Sequence, residues 1–332
     1  MIKQLSLVFF LLLAFQSYSQ DPVPPEGLEG LPLRTWLQQN WYNPWHSTLG
    51  YSTARELMYG TIDANGGQIT CVYTGFFQAS SVTTFPDPIN TEHSVPQSWF
   101  DSFEPMKSDI HHLFPTHMDA NTARGSLPFG EVLDSQTDDW FVGNGSGITV
   151  TSSIPSSNID AYSEVKFNDH FEPREGSKGN TARAVFYFYT MYPSVGGGIT
   201  DVASLNTLYQ WHLNDPVDAL EIQRDARIQQ YQGNYNPYVH SPELVATAWG
   251  FPVGMEEQVA LKIQISPNPA RNLIHIDIPA LVLRVSAIDM MGKELPLEIH
   301  GTQVDISSLS QGFYILSIQT EKGVSMEQFV KE

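Results

Sequence analysis

The chain has 332 residues, with 36 acidic residues against 17 Lys and Arg and a net charge of −19, so one large or two smaller domains are expected. Backbone binding to nucleic acid depends on cations displacing counterions around phosphates, so this charge is evidence against tight, static DNA binding and weaker evidence against turnover. It leaves room for turnover in a locally positive groove.

The elements follow in chain order. Met1 to Ser19 reads as a secretory leader: Lys3 gives the positive start, Leu5 to Phe15 the apolar run, and Ser17-Tyr18-Ser19 a small-x-small cleavage site. That run is short for a membrane span and no later stretch approaches one, so an exported, soluble monomer is expected. Prolines 22, 24, 25 and 32 with Gly27 and Gly30 predict an extended lead-in. Helices are predicted over Leu33 to Trp45 and from Ser52, as its cap, to a stop at Gly60. The only cysteine, Cys71, sits in a strand-like stretch from Ile69 to Phe77, which excludes an internal disulfide and points to a buried small hydrophobe over a catalytic thiol.

Ile89 to Val95 predicts a strand ended by Pro96, and about Thr116 to Arg124 a helix. Asp134 to Ser163 reads as loop. Asn180 or Thr181 is expected to cap a helix from Ala182 to Tyr192, apolar nearly all round and therefore central to the core. Asp201 is expected to cap the next helix, with His212 at the edge of the core. Asp215-Pro216 is expected to open a third, stopped by Gly233, whose Arg224 and Arg227 read equally as a solvated or salt-bridged face or as a phosphate contact. From Ile263 onward, short alternating strands separated by turns predict a small β-sandwich. The fold class is thus α+β, a mainly helical domain followed by an all-β one, divided into residues 1–19, 20–257 and 258–332.

The stretch from Asn90 to Gly130 gathers the chemistry. Glu92-His93, then Asp109 with His111 and His112, then Asn121 and Arg124 supply a carboxylate, imidazoles, a neutral amide oxygen and a guanidinium. Such a set suits water activation beside a hard cation with a phosphate as target. Spacing raises one objection, because successive side chains of a strand point to opposite faces; Glu92 and His93 share a site only if the strand ends or bulges there. Asn121 and Arg124, three apart, share one helical face. For Asn121 a capping or turn role near Gly125 is the competing reading.

Glu92-His93-Ser-Val-Pro96, Ser108-Asp-Ile-His-His-Leu-Phe-Pro115 and Asn121-Thr-Ala-Arg124 resemble, in order and spacing, the core of the endonuclease I family, secreted or periplasmic nucleases of the ββα-metal (His-Me finger) type. Lys178-Gly-Asn-Thr-Ala-Arg183 and Gln232-Gly-Asn-Tyr-Asn-Pro-Tyr238 extend the likeness, which covers roughly residues 35–250. The resemblance implies His93 as general base and Glu92 and Asn121 as ligands of a divalent metal, magnesium first, with calcium and manganese as alternatives. It implies cleavage of DNA, and of RNA as a further substrate, with little sequence preference. His111 matches a supporting position, and Asp109 is placed with it. Better-known members have a longer segment between the motif halves, with a phosphate-binding arginine. Here Ser94 to Ser108 is short and Lys107 is its only cation, so phosphate stabilisation is expected from Lys107, Arg124, Arg183 or some combination of them, with Arg124 counted as catalytic. Arg183, at the start of its predicted helix, calls for a phosphate or a partner such as Glu172 or Glu175.

Ile265-Ser-Pro-Asn-Pro-Ala-Arg-Asn272, Met291-Gly-Lys293 and Gly312-Phe-Tyr-Ile-Leu316 resemble the sorting domain of type IX secretion substrates, which implies export to the outside of the cell or attachment at its surface. The rival from another class is a non-catalytic surface protein of the same fold that binds nucleic acid or glycans. A metalloprotease is disfavoured, since His-Glu-x-x-His is absent.

Overall fold

The computed structural model describes residues 22–82, 85–144, 147–195, 197–251, 264–277, 282–289, 293–320 and 323–332. The chain falls into two compact units, residues 1–252 and 253–332. The expected leader, 1–19, and the expected boundary at 257/258 lie outside the described residues.

In the first unit, helix α1 (Gly30–Leu37) runs into a π-helical turn, Gln38–Tyr42, and α2 (Tyr51–Leu57) into another, Met58–Ile62. Helix α2 begins behind Gly50 at φ 74°, one residue ahead of the expected Ser52 cap. Gly60 lies inside the second turn and does not stop the helix. Strands β1 (Gln68–Thr70) and β2 (Phe77–Ala79) pair antiparallel. Cys71 lies just past β1, buried and unpaired, and burial pushes its thiol up, as suits a hydrophobe.

Strands β3 (Ile89–His93) and β4 (Leu113–His117) form an antiparallel ribbon, and helix α3 (Met118–Arg124) follows at once. Thr116 and His117, expected in the helix, belong to β4, and the His117 ring caps α3 by accepting from the Asp119 N–H at 3.3 Å. Strands β5 (Asp139–Gly143), β6 (Ile148–Thr151), β7 (Ser163–Lys166) and β8 (His170–Glu172) make a sheet in the order β6-β5-β7-β8. The expected loop over Asp134 to Ser163 is therefore a hairpin, stabilised because Trp140 and Phe141 bury their rings.

Helix α4 (Glu175–Met191) starts seven residues before the expected Ala182. Gly179 lets the Asp215 carbonyl lie where a Cβ would come within 1.9 Å of it, and Lys178 is neutralised by glutamates, so the polar stretch stays helical. The expected apolar character holds: Phe186, Phe188, Tyr187 and Val185 are buried in the main core, with Leu37, Phe129, Trp211 and Tyr238. Helices α5 (Ile199–Val202), α6 (Leu205–Asn214), α7 (Ala219–Gln232), α8 (Pro237–His240) and α9 (Leu244–Trp249) complete the unit. Ser204 caps α6 where Asp201 was expected, and Asp218 caps α7 where Asp215 was expected, because each accepts from the third helical N–H. Gly233 ends α7 at φ 93°, with the Trp45 carbonyl 2.1 Å from where a Cβ would stand, so both conformation and space demand glycine there.

The second unit is all β: β9 (Gln264–Ser266), β10 (Leu273–Asp277), β11 (Val282–Ile288), β12 (Glu294–His300), β13 (Gln303–Asp305), β14 (Gly312–Thr320) and β15 (Gly323–Lys331). The expected sandwich takes the form of one continuous sheet, ordered β15-β14-β11-β12-β13-β10-β9. Strand β12 pairs β11 through its first half and β13 through its second, and a bridge between Ala270 and Lys331 brings the sheet close to a barrel around Ile274, Val285, Ala287 and Leu316.

Candidate active site

The β3–β4 register runs unbroken from Ile89 opposite His117 to His93 opposite Leu113. The bulge that would turn Glu92 and His93 to one face is absent from this ribbon, and the strand ends at His93. Their partners accordingly differ. The Glu92 carboxylate is 2% exposed and accepts the Tyr73 hydroxyl on Oε1 at 2.7 Å, with Nε of Arg124 3.4 Å from the same oxygen. Its Oε2 takes no hydrogen bond. Burial raises the Glu92 carboxyl above the usual range, against the pull of Arg124 and Tyr73.

His93 is 4% exposed and its Nε2 lies 3.1 Å from the Lys107 carbonyl. A carbonyl only accepts, so Nε2 carries the hydrogen and Nδ1 is left with its lone pair. Burial, with His112 5.5 Å away ring to ring, holds the imidazole well below its ordinary pKa and hence neutral.

Asn121, half-buried on α3, donates Nδ2 to the Thr91 carbonyl at 3.5 Å, which leaves Oδ1 beside the strand that carries Glu92. Arg124 sits one turn further on, 1% exposed, with donors on the carbonyls of Ser94 and Gly125 at 2.9 and 3.0 Å. Expected as a catalytic group on the phosphate, it is instead a tie between α3, the end of β3 and Glu92; its direction along the helix carries it into the interior.

Asp109 anchors the loop that presents Lys107. Its Oδ2 accepts the hydroxyls of Tyr187 and Tyr192 at 2.8 and 2.6 Å, and its Oδ1 accepts from Gln232 at 2.7 Å. Burial works to raise this carboxyl, but His46, His111, His112 and Tyr192 outweigh it and hold it below the usual range. His111 donates its Nε2–H to the Asn234 carbonyl, 2.9 Å away, and its Nδ1 stands 3.5 Å from Asp225. Both expected supporting residues thus lie behind the Lys107 carbonyl that orients His93. The Gln232-Gly-Asn234 motif explains itself here, since both polar residues hold this network.

Arg183, expected to meet substrate, is 0% exposed and pairs with Glu221 through Nε and Nη2 at 2.7 and 2.6 Å. Helix α4 starts earlier than expected, so Arg183 lies mid-helix inside the core and not at a helix start facing substrate. Glu172 and Glu175, the partners suggested for it, hold Lys178 at 2.7 and 2.5 Å. Arg224 is salt-bridged to Asp63 at 2.8 Å, and Arg227 donates to the Ile62 carbonyl and Asn65, the first of the two readings offered for them. Lys107 is half-buried, with Nζ 5.3 Å over the ring of Tyr51, which in turn lies 5.6 Å from the His93 ring. Tyr73 and Tyr51 escaped the sequence reading because both are distant from the motif in the chain.

Among the described residues no group of three or more His, Cys, Asp or Glu gathers to hold a metal. A cation here would rest on one carboxylate oxygen, Oε2 of Glu92, and the Asn121 amide oxygen. That hard-oxygen pair fits magnesium, which keeps several of its waters.

The endonuclease I family model matches residues 37–243, more than half of the chain. The chain belongs to the endonuclease I family. This family member also carries, over residues 264–332, a match to the C-terminal sorting domain of a secretion system. It is 29% identical over 224 residues to an extracellular ribonuclease of Bacillus amyloliquefaciens, covering 61% of this chain and 70% of the relative. It is 30% identical over 142 residues to an extracellular deoxyribonuclease of Aeromonas hydrophila, covering 42% of this chain and 51% of the relative. A second extracellular ribonuclease, from Bacillus subtilis, is 29% identical over 156 residues, and the chain spans 46% of its length. The endonuclease I protein is thus a secreted phosphodiester hydrolase. No described helix is long and apolar enough to cross a membrane.

Proposed function

We propose that this secreted nuclease cleaves DNA, and RNA as well, by metal-dependent hydrolysis with little sequence preference, and that His93 is its general base. The observation that carries the reading is the bond from His93 Nε2 to the Lys107 carbonyl, which fixes the ring and leaves Nδ1 free to take a proton. The order β3, β4, α3, with Glu92 and His93 on the first strand and Asn121 on the helix, supports a ββα-metal motif. Glu92 Oε2 and Asn121 Oδ1 would hold the divalent cation, magnesium first. When bound, that cation supplies Lewis-acid stabilisation of the charge that grows on phosphorus and on the leaving oxygen.

His93 Nδ1 takes a proton from water as its oxygen bonds to phosphorus; the bond to the 3′ oxygen then breaks, that oxygen takes a proton from solvent water, and the imidazolium returns its own to solvent, leaving a 5′-phosphate and a 3′-hydroxyl. Arg124 and Tyr73 hold Glu92 in place, and Asp109 holds the Lys107 loop. The ribonuclease and deoxyribonuclease relatives support both substrates. The sorting domain supports export through the type IX machinery. The test is incubation of the purified protein with plasmid DNA and with RNA, in chelator and after return of magnesium, calcium or manganese. Cleavage restored by a cation is expected; intact substrates throughout would favour a non-catalytic binder.

A further inference from the structure

Most cations of the nuclease unit are already held. Arg124, Lys166, Lys178, Arg183 and Arg224 face carboxylates. The guanidiniums of Arg34, Arg174 and Arg227 donate to backbone carbonyls. Among the described residues of this unit, Arg55 and Lys107 alone make neither an ion pair nor a side-chain hydrogen bond.

Both lie over the same ring. The Arg55 guanidinium carbon is 5.1 Å from the Tyr51 centroid and Lys107 Nζ is 5.3 Å from it. Tyr51 and Arg55 share one face of α2, four residues apart. That helix packs against Met106–Ser108, the turn that holds Lys107. Tyr51 is the ring 5.6 Å from His93, so two unpaired cations stand one aromatic ring away from the proposed base. The Arg55 guanidinium carbon lies 3.8 Å over the Phe85 ring, which is 40% exposed, and Phe103, 64% exposed, gives its carbonyl to the Lys107 N–H at 3.0 Å.

We infer that Arg55, set between Tyr51 and Phe85, grips a backbone phosphate next to the one being cut, together with Lys107. An inference of this kind rests on the nuclease reading above. A guanidinium stacked on rings keeps its planar fork open for bidentate phosphate contact, and the exposed faces of Phe85 and Phe103 suit stacking of bases. In a chain of net charge −19, such local concentration of unpaired cations is what a polyanionic substrate requires. The residue fills the place left by Arg124 and Arg183, which are turned inward.

The test is fluorescence anisotropy of a labelled DNA oligonucleotide against the full chain bearing His93→Ala, over a series of NaCl concentrations. Adding Arg55→Gln is expected to weaken binding about tenfold, the order of a charge-assisted contact, and to reduce the slope of log affinity against log salt by about one. Arg55→Lys should keep the slope, and Lys166→Gln, whose charge is already paired with Asp169 at 2.6 Å, should leave both unchanged. In the cleaving protein, Arg55→Gln should raise KM with little change in kcat. An unchanged salt slope for Arg55→Gln overturns the proposal, and a lowered melting temperature with that same slope assigns Arg55 to packing alone. Absence of cleavage by the unaltered protein would instead remove the nuclease reading, while the binding slope still reports on Arg55 by itself.

Discussion

Tyr73 donates its hydroxyl to Oε1 of the buried Glu92 at 2.7 Å, while Oε2 of the same carboxylate accepts no hydrogen bond. A residue in the turn between β1 and β2 thereby orients the carboxylate near the end of β3. Tyr73→Phe is therefore expected to raise the magnesium concentration for half-maximal cleavage by about 10- to 100-fold, the usual effect of removing a partner behind a ligand. The measurement is initial rate against magnesium concentration; an unchanged midpoint in a folded variant would exclude Glu92 as a ligand.

His93→Ala should lower the cleavage rate by at least about a hundredfold, the size expected for a general base. Plasmid nicking followed over time checks it, with circular dichroism to confirm the fold. Near-normal cleavage would discard His93 as the base.

Arg183→Ala should act on stability and not on substrate. It leaves Glu221, already pushed up by burial, without its partner, and loss of one member of such a pair costs about 3–5 kcal/mol. Urea unfolding reads the loss. A variant that unfolds like the parent but binds DNA less tightly would return Arg183 to the substrate.

His212 supplies a pH test away from the proposed chemistry. Burial, helped by Arg183, lowers its pKa to about 4. The unfolded ring takes a proton near ~6.5, so between these values the unfolded state binds more protons. The stability that the neutral ring contributes is complete above the unfolded value and is lost as pH falls towards the folded one. His212→Asn should therefore show a smaller fall in melting temperature than the parent between pH 7 and pH 4. Parallel curves would show that His212 does not titrate in this way.

The motif residues, the apolar continuation of α4 and the strands of the second unit were legible because each shows in local pattern. Leu273 to Ile278, Leu283 to Ile288 and Gly312 to Gln319 alternate plainly, and the strands found over Leu273–Asp277, Val282–Ile288 and Gly312–Thr320 follow them closely. Helix starts were less legible. A cap depends on which side chain reaches the third N–H, so Asp218 displaced Asp215 and Ser204 displaced Asp201.

The sequence by itself determined the family, the C-terminal sorting domain and the residue types of the site, since these reside in order and spacing. Only the tertiary structure decided which cations face inward. Arg124 and Arg183 meet Glu92 and Glu221, while Arg55 and Lys107 meet only rings. The physical reason is that a charge remains available to a ligand only where no carboxylate or carbonyl comes within reach, and that depends on residues brought together from distant parts of the chain.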